Sequence, residues 1–209
     1  MRNLILSATL VTVSLFGLSA HAEPIEAGKQ YVELNNPVPV SKPGKIEVVE
    51  LFWYGCGHCY QFENTLNPWV DKLPEDVNFV RIPAMFGGMW NVHGQLFVTL
   101  EAMKAEHKVH AAVFDAIHVQ GKKLATPEEM ADFLAVEGID KAAFLKTYNS
   151  FGVKSQLEKA KKLAMAYQIT GVPVMIVGGK YRFDISSSGG AQQALQVADH
   201  LIAKERAAQ

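Results

Sequence analysis

Apolar residues crowd positions 46–53, where Ile46, Val48, Val49, Leu51, Phe52 and Trp53 are interrupted only by Glu47 and Glu50. A short run rich in β-branched and aromatic residues, with Pro43-Gly44 before it and Gly55-Cys56-Gly57 after it, predicts a central strand buried on both faces. Beyond Cys59 the period changes. Phe62, Leu66, Trp69, Val70 and Leu73 recur at helical spacing, so a helix is expected to begin near Cys56 and to lay that stripe on the sheet. Pro68 falls inside the stripe and should kink the helix near Asn67 or end it early, because proline has no amide hydrogen and crowds the preceding turn. Pro74 then introduces a second strand at 77–82, completing a β-α-β unit.

Between Gly87 and Gln168 strand signals vanish, and helices are predicted at 94–105, 108–119, 127–137, 141–148 and 153–168. The third has the clearest punctuation: Thr126 as N-cap, Pro127 in the first turn, Glu129 completing a capping box and Gly138 as the stop. Asp140 is placed to cap the next. The chain then returns to strand patterning, with apolar runs on either side of Gly178-Gly179 that predict a β-hairpin. Ser188 is expected to cap a final amphipathic helix carrying Leu195, Val197, Ala198, Leu201 and Ile202. Residues 23–44, rich in Pro, Asn and Gly, read as an extended lead-in. The plan is α/β, with 23–86 and 169–209 forming one domain and 87–168 an inserted all-helical subdomain with its connecting helix. No internal repeat or low-complexity segment interrupts it.

The first residues add a destination. Met1-Arg2-Asn3, an apolar stretch over 4–18 and the small residues Ala20 and Ala22 form a secretory signal peptide, with cleavage predicted after Ala22. The apolar stretch is shorter than the roughly 20 residues of a spanning helix, and no later segment approaches that length. A formal net charge of −1 leaves no basic footprint for nucleic acid and no polybasic membrane patch. With 49% hydrophobic residues, the exported part can bury one substantial core or a core with a satellite. Export also carries the chain to a compartment where disulfides persist.

Both cysteines of the chain, Cys56 and Cys59, lie in one Cys-Gly-His-Cys segment at the junction of the first strand and the first helix. Unpaired amides and the macrodipole at a helix N-terminus favour an anion, so the Cys56 thiolate should be stabilised, with protonated His58 adding a positive charge beside it. A stabilised thiolate is a good leaving group and favours the reduced form, which makes the disulfide a donor of oxidising equivalents. Cys59, one turn along, is expected to face inward and react less. A structural disulfide is one competing reading, but closing so small a loop constrains the unfolded chain little. A zinc site is another, since Cys-x-x-Cys is half of one, but no matching ligand pair stands nearby; His107 and His110, on a predicted helix, read as solvated. Glu50 is the odd residue of its strand. A buried acid with a raised pKa could exchange a proton with Cys59, with Glu63 in a secondary electrostatic role.

The aromatic strand end, the Cys-x-x-Cys at a helix start and the later Gly171-Val172-Pro173 before a hairpin resemble the thioredoxin superfamily. The segment from Glu50 to Glu63, together with the helical block after the second strand, resembles the DsbA family of periplasmic thiol:disulfide interchange proteins. The resemblance implies a thioredoxin-like fold with an inserted helical subdomain. It implies Cys56 as exposed nucleophile, Cys59 as buried partner, Gly57 and His58 as the dipeptide that tunes them, and Glu50 as proton relay. It further implies a cis-proline loop at Val172-Pro173 that pairs with an extended substrate. DsbA proteins usually carry Pro-His between the cysteines, whereas Gly-His is the dipeptide of protein disulfide isomerase, so the potential is expected between those of the two families. The implied activity is a monomeric dithiol oxidase of the periplasm that needs no cofactor beyond its own disulfide. It would act on exported proteins with free cysteines and be reoxidised by a quinone-linked membrane partner of the DsbB type. Two rivals stay open: a disulfide isomerase or reductase, marked by a potential near that of thioredoxin at about −270 mV, and a non-catalytic peptide- or metal-binding module.

Overall fold

The computed structural model describes residues 24–209; the predicted signal peptide and its cleavage after Ala22 lie outside them. The elements are β1 (Val32–Glu33), β2 (Ile46–Phe52), α1 (Gly57–Val70), β3 (Val77–Pro83), α2 (Gly88–Ala102), α3 (Glu106–His118), α4 (Pro127–Val136), α5 (Lys141–Tyr148), α6 (Phe151–Ala166), β4 (Val174–Val177), β5 (Tyr181–Asp184), α7 (Ile185–Ser188) and α8 (Ala191–Ala207). The strands form one sheet in the order β1-β5-β4-β2-β3. β2 runs parallel to β3, as a β-α-β unit requires, and β4 pairs antiparallel with β5, as a hairpin requires; β4 also runs antiparallel to β2.

Every residue of β2 is buried, which explains the near-continuous apolar run. Val48 packs with Phe62 and Leu66 of α1 and with Leu195, Val197, Ala198, Leu201 and Ile202 of α8. Val49 and Leu51 point to the other face, against Ala160, Ala164 and Tyr167 at the end of α6. Phe52, Tyr54 and Cys59 belong to a third cluster, built with the apolar sides of α2, α3, α4 and α5. The helices between β3 and β4 therefore share a core with the strand end that carries the cysteines.

Three local expectations are corrected, and the one at Pro68 is met in part. Pro68 lies two residues before the end of α1 at Val70, so the helix stops short of Leu73 in the predicted stripe. It sits in the last turn of α1, where it forfeits a single backbone bond; the ladder resumes with the Asp71 amide donating to the Asn67 carbonyl (3.0 Å), and Trp69 anchors the turn through Nε1–H to Asp199 (2.9 Å). The first helix after β3 starts at Gly88 rather than 94, because Gly87 and Gly88 at positive φ make the turn and Trp90 joins the core early. Ser188 does not cap α8. It closes the one-turn α7, which Asp184 caps through the Ser187 amide (2.8 Å), and α8 starts after Gly190. The lead-in is not wholly irregular, since β1 covers the hairpin edge by pairing Val32 with Arg182 and Glu33 with Tyr181. The hairpin itself turns on Gly178 and Gly179 at φ +60° and +66°, where the mirror-image turn needs residues without a Cβ.

Candidate active site

Trp53, Tyr54 and Gly55 carry the chain from the end of β2 to the first turn of α1, and Cys56 occupies the N-cap. Its backbone is extended (φ −90°, ψ 115°) and its Sγ accepts the Cys59 amide at 3.4 Å, the role an oxygen plays in an ordinary cap. The two sulfurs are not bonded to each other; Cys56 is partly exposed and Cys59 is buried. The Cys56 thiol also points at the Val172 carbonyl, 3.6 Å away, and the Val172–Pro173 peptide bond is cis.

The two sulfurs are driven in opposite directions. Cys56 is lowered from 9.0 to about 6, first by a hydrogen bond from the Cys59 thiol, working against partial burial, then by the amides of Cys59 and His58 and the charge of His58. Cys59 is pushed far up by burial, by its own hydrogen bond to Cys56 and by the charges of Glu50 and Cys56. His58 is exposed, and its backbone amide lowers Cys56 more than its imidazole does. Gly57 occupies the first helical position with open space where a Cβ would stand, so no steric demand keeps a glycine there.

Beneath the cysteines lies a buried ionic cluster that only the fold assembles. The β2–β3 register sets Arg81 directly opposite Glu50, and Arg81 Nε donates to Glu50 Oε2 at 3.0 Å. The same guanidinium reaches Glu63 of α1 (3.4 Å), Glu106 of α3 (3.7 Å) and the Asn67 amide oxygen (2.6 Å). Glu50 is fully buried, and its second oxygen, Oε1, has no protein partner. Burial raises its pKa from 4.5 to about 8, against the attraction of Arg81 and with a further push from Glu63. Glu63, although burial raises it too, is held below the usual carboxylate range by hydrogen bonding from His110 and by Arg81.

The sequence reading of His107 and His110 as solvated holds for His107, which is exposed, and is corrected for His110. His110 is 5% exposed, shares a hydrogen bond of 2.8 Å with the Tyr54 hydroxyl, and lies 3.5 Å from Glu63 and 3.2 Å from Glu106. Arg81, Glu106, His110 and Tyr54 were not recognised from the sequence. The available signal was the single basic residue of the second strand, and the i, i+4 series Glu106, His110, Phe114 and His118 along one face of α3.

A groove of about 560 Å³ opens beside the cysteines, lined by His58, Gln61, Val172, Pro173, Ile185 and Ala191 among others. Among the described residues no group of three or more His, Cys, Asp or Glu side chains is disposed to hold a metal ion, and no helix is long and apolar enough to cross a membrane.

Residues 77–201 match the family model described as "DSBA-like thioredoxin domain". The thiol:disulfide interchange protein DsbA of Pseudomonas aeruginosa is 70% identical over 208 residues, covering 100% of this chain and 99% of that protein. Its counterpart in Azotobacter vinelandii is 68% identical over 214 residues, with full coverage of both chains. Among solved structures, the crystal structure of Pseudomonas aeruginosa DsbA superimposes with a TM-score of 0.86 at 71% identity, over 88% of this chain and 96% of that one.

Proposed function

The chain belongs to the DsbA family of thiol:disulfide interchange proteins, periplasmic dithiol oxidases of thioredoxin-like fold that work through their own cysteine pair, and from that membership we propose how its residues divide the work. A thiolate of the substrate protein attacks Cys56 Sγ in the oxidised enzyme. The Cys56–Cys59 bond breaks, a mixed disulfide forms, and Cys59 leaves as a thiolate that takes a proton. A second substrate thiolate then attacks the substrate sulfur of the mixed disulfide, and Cys56 leaves as a thiolate. Two substrate thiols are thereby oxidised to a disulfide while the enzyme's disulfide is reduced to the dithiol.

The observation that carries this reading is the asymmetry of the pair: Cys56 is half-exposed with its thiol lowered to about 6, and Cys59 is buried and pushed up. The sulfur that must leave last is the one the helix N-terminus stabilises as an anion. Glu50, at about 8 and with an unpartnered oxygen, is suited to hold the proton that Cys59 gains and loses in each cycle. Gly57 and His58 tune the pair, the Val172 carbonyl is positioned to pair with an extended substrate segment, and the groove beyond Pro173 accepts its apolar side chains.

The proposal extends to organisation and partners. Residues 23–86 and 169–209 form the thioredoxin-like domain and 87–168 the inserted helical subdomain. The signal peptide over 1–22 delivers the chain to the periplasm. Exported proteins with free cysteines are the substrates, and a quinone-linked membrane reoxidase of the DsbB type returns the dithiol to the disulfide. The test is oxidation of a reduced, unfolded protein by the oxidised enzyme. Cys56→Ser and Cys59→Ser, neither of which can form the internal disulfide, are each expected to abolish it; wild-type turnover by Cys56→Ser would overturn the assignment.

A further inference from the structure

Cys56 and Cys59 are flanked by two tyrosines, Tyr54 before the pair and Tyr60 after it, and both are held by the same face of α3. His118 Nε2–H donates to the Tyr54 backbone carbonyl at 2.7 Å. The His118 ring also stacks on Tyr60, with centroids 4.8 Å apart and planes 10° from parallel, while the Tyr60 hydroxyl donates to Asp115 at 2.8 Å. One and two turns back along the helix, Phe114 packs edge-on against Tyr54 at 5.0 Å and His110 bonds the Tyr54 hydroxyl. The turn between the tyrosines is tied together from within by the Cys56 amide to the Trp53 carbonyl (2.9 Å), the Tyr60 amide to the Cys56 carbonyl (3.0 Å) and the Cys59 amide to Cys56 Sγ (3.4 Å).

We propose that His118 is a positioning residue for thiol–disulfide exchange: by fixing the Tyr54 carbonyl and the Tyr60 ring it holds Cys56 in the N-cap geometry on which its thiolate depends. The amides of Cys59 and His58 stabilise the Cys56 sulfur only while its backbone stays extended at the helix start. A Tyr54 carbonyl left without a donor would turn to recover one, rotating the peptide planes that lead into Cys56. The helical segment between β3 and β4 thus contributes to the redox poise of the cysteines through a side chain that touches neither sulfur. His118 reaches no substrate in this role and transfers no proton.

This inference rests on Cys56 being the attacked sulfur, and the experiment separates the two claims. In the full exported chain, His118→Phe keeps a ring against Tyr60 but removes the donor. The Cys56 thiolate titration, followed by its ultraviolet absorbance, is expected to rise by about one pH unit. The equilibrium with glutathione at pH 7 should shift roughly fivefold toward the disulfide form, the change that follows from losing thiolate stabilisation. His118→Gln, which restores an N–H donor, is expected to return both quantities most of the way to wild type. If His118→Phe does not fold, His118→Asn, whose amide is too short to reach the carbonyl, carries the same expectation. A purely structural role would lower the melting temperature of these variants with the Cys56 titration and glutathione equilibrium unmoved, and that result overturns the proposal, as does failure of His118→Gln to rescue. Either failure leaves the Cys56 assignment standing, since that is decided by Cys56→Ser.

Discussion

The two ends of β2 each bury a glutamate, and the strand deals with them differently. Glu47 and Glu50 are 4% and 0% exposed, and because their separation is odd they face opposite sides of the sheet. Glu47 accepts the Ser41 amide at 2.8 Å, the Ser41 hydroxyl, and the Asn78 amide at 3.4 Å, so its burial is matched by uncharged donors from the lead-in and from β3. Glu50 has a single partner, Arg81, which it shares with Glu63 and Glu106, and one oxygen is left bare. Burial by itself does not make an acid functional. A satisfied carboxylate fastens a segment, whereas an under-satisfied one beside a second ionisable group keeps a proton within reach of exchange. The cleft of about 320 Å³ that Glu47 lines, with Pro39, Ser41 and Lys159, contains no sulfur, while Glu50's charge acts directly on Cys59.

The hardest test of this contrast removes the shared cation. Arg81→Met leaves Glu50, Glu63 and Glu106 without their guanidinium, and chemical denaturation at pH 7 is expected to show a loss of about 3–5 kcal/mol, the usual consequence of stranding a buried charge. Glu50→Gln acts in the other direction. The folded pKa of Glu50, about 8, stands above its ordinary 4.5, so the native state binds the extra proton. The stability this group contributes is complete below pH 4.5 and is lost as the pH rises through 8. The variant should therefore match wild type in acid and exceed it by roughly 4–5 kcal/mol above pH 8. Its thiol-exchange rate should lose the inflection near pH 8, and an unaltered pH profile would remove Glu50 from the proton path. Glu47→Gln should have the smallest effect, costing about 1–2 kcal/mol through weakened bonds to Ser41 and Asn78 with exchange kinetics unchanged. If Glu47→Gln altered the exchange rate as much as Glu50→Gln, the distinction between the two ends would collapse.

The same contrast explains what could be read without the fold. Glu50 stood out because one acid inside an apolar strand is a local anomaly, whereas Glu47, near the strand's entry, did not, although both are buried. Cys56 at the helix start was legible because the helical period beyond Cys59 begins soon after the apolar run ends at Trp53. His110 reads as solvated from its place on a helix alone, whereas its burial depends on where α3 comes to lie against Phe52, Tyr54 and Phe97. Ser188 was misassigned because two glycines beyond it permit a second helix start that periodicity does not register.

Local pattern and spacing were enough to determine the β-α-β unit, the hairpin, the helical block between them and the placement of the cysteine pair at a helix N-terminus, because each of these depends on neighbours within a turn or a few residues. Only the tertiary structure decided that Arg81 stands opposite Glu50, that Val172 faces Cys56 and that one side of α3 grips the residues on both sides of the pair. Periodicity reports which face a side chain occupies. What waits on the other side of that face is fixed by strand register and by the packing of segments distant in the chain.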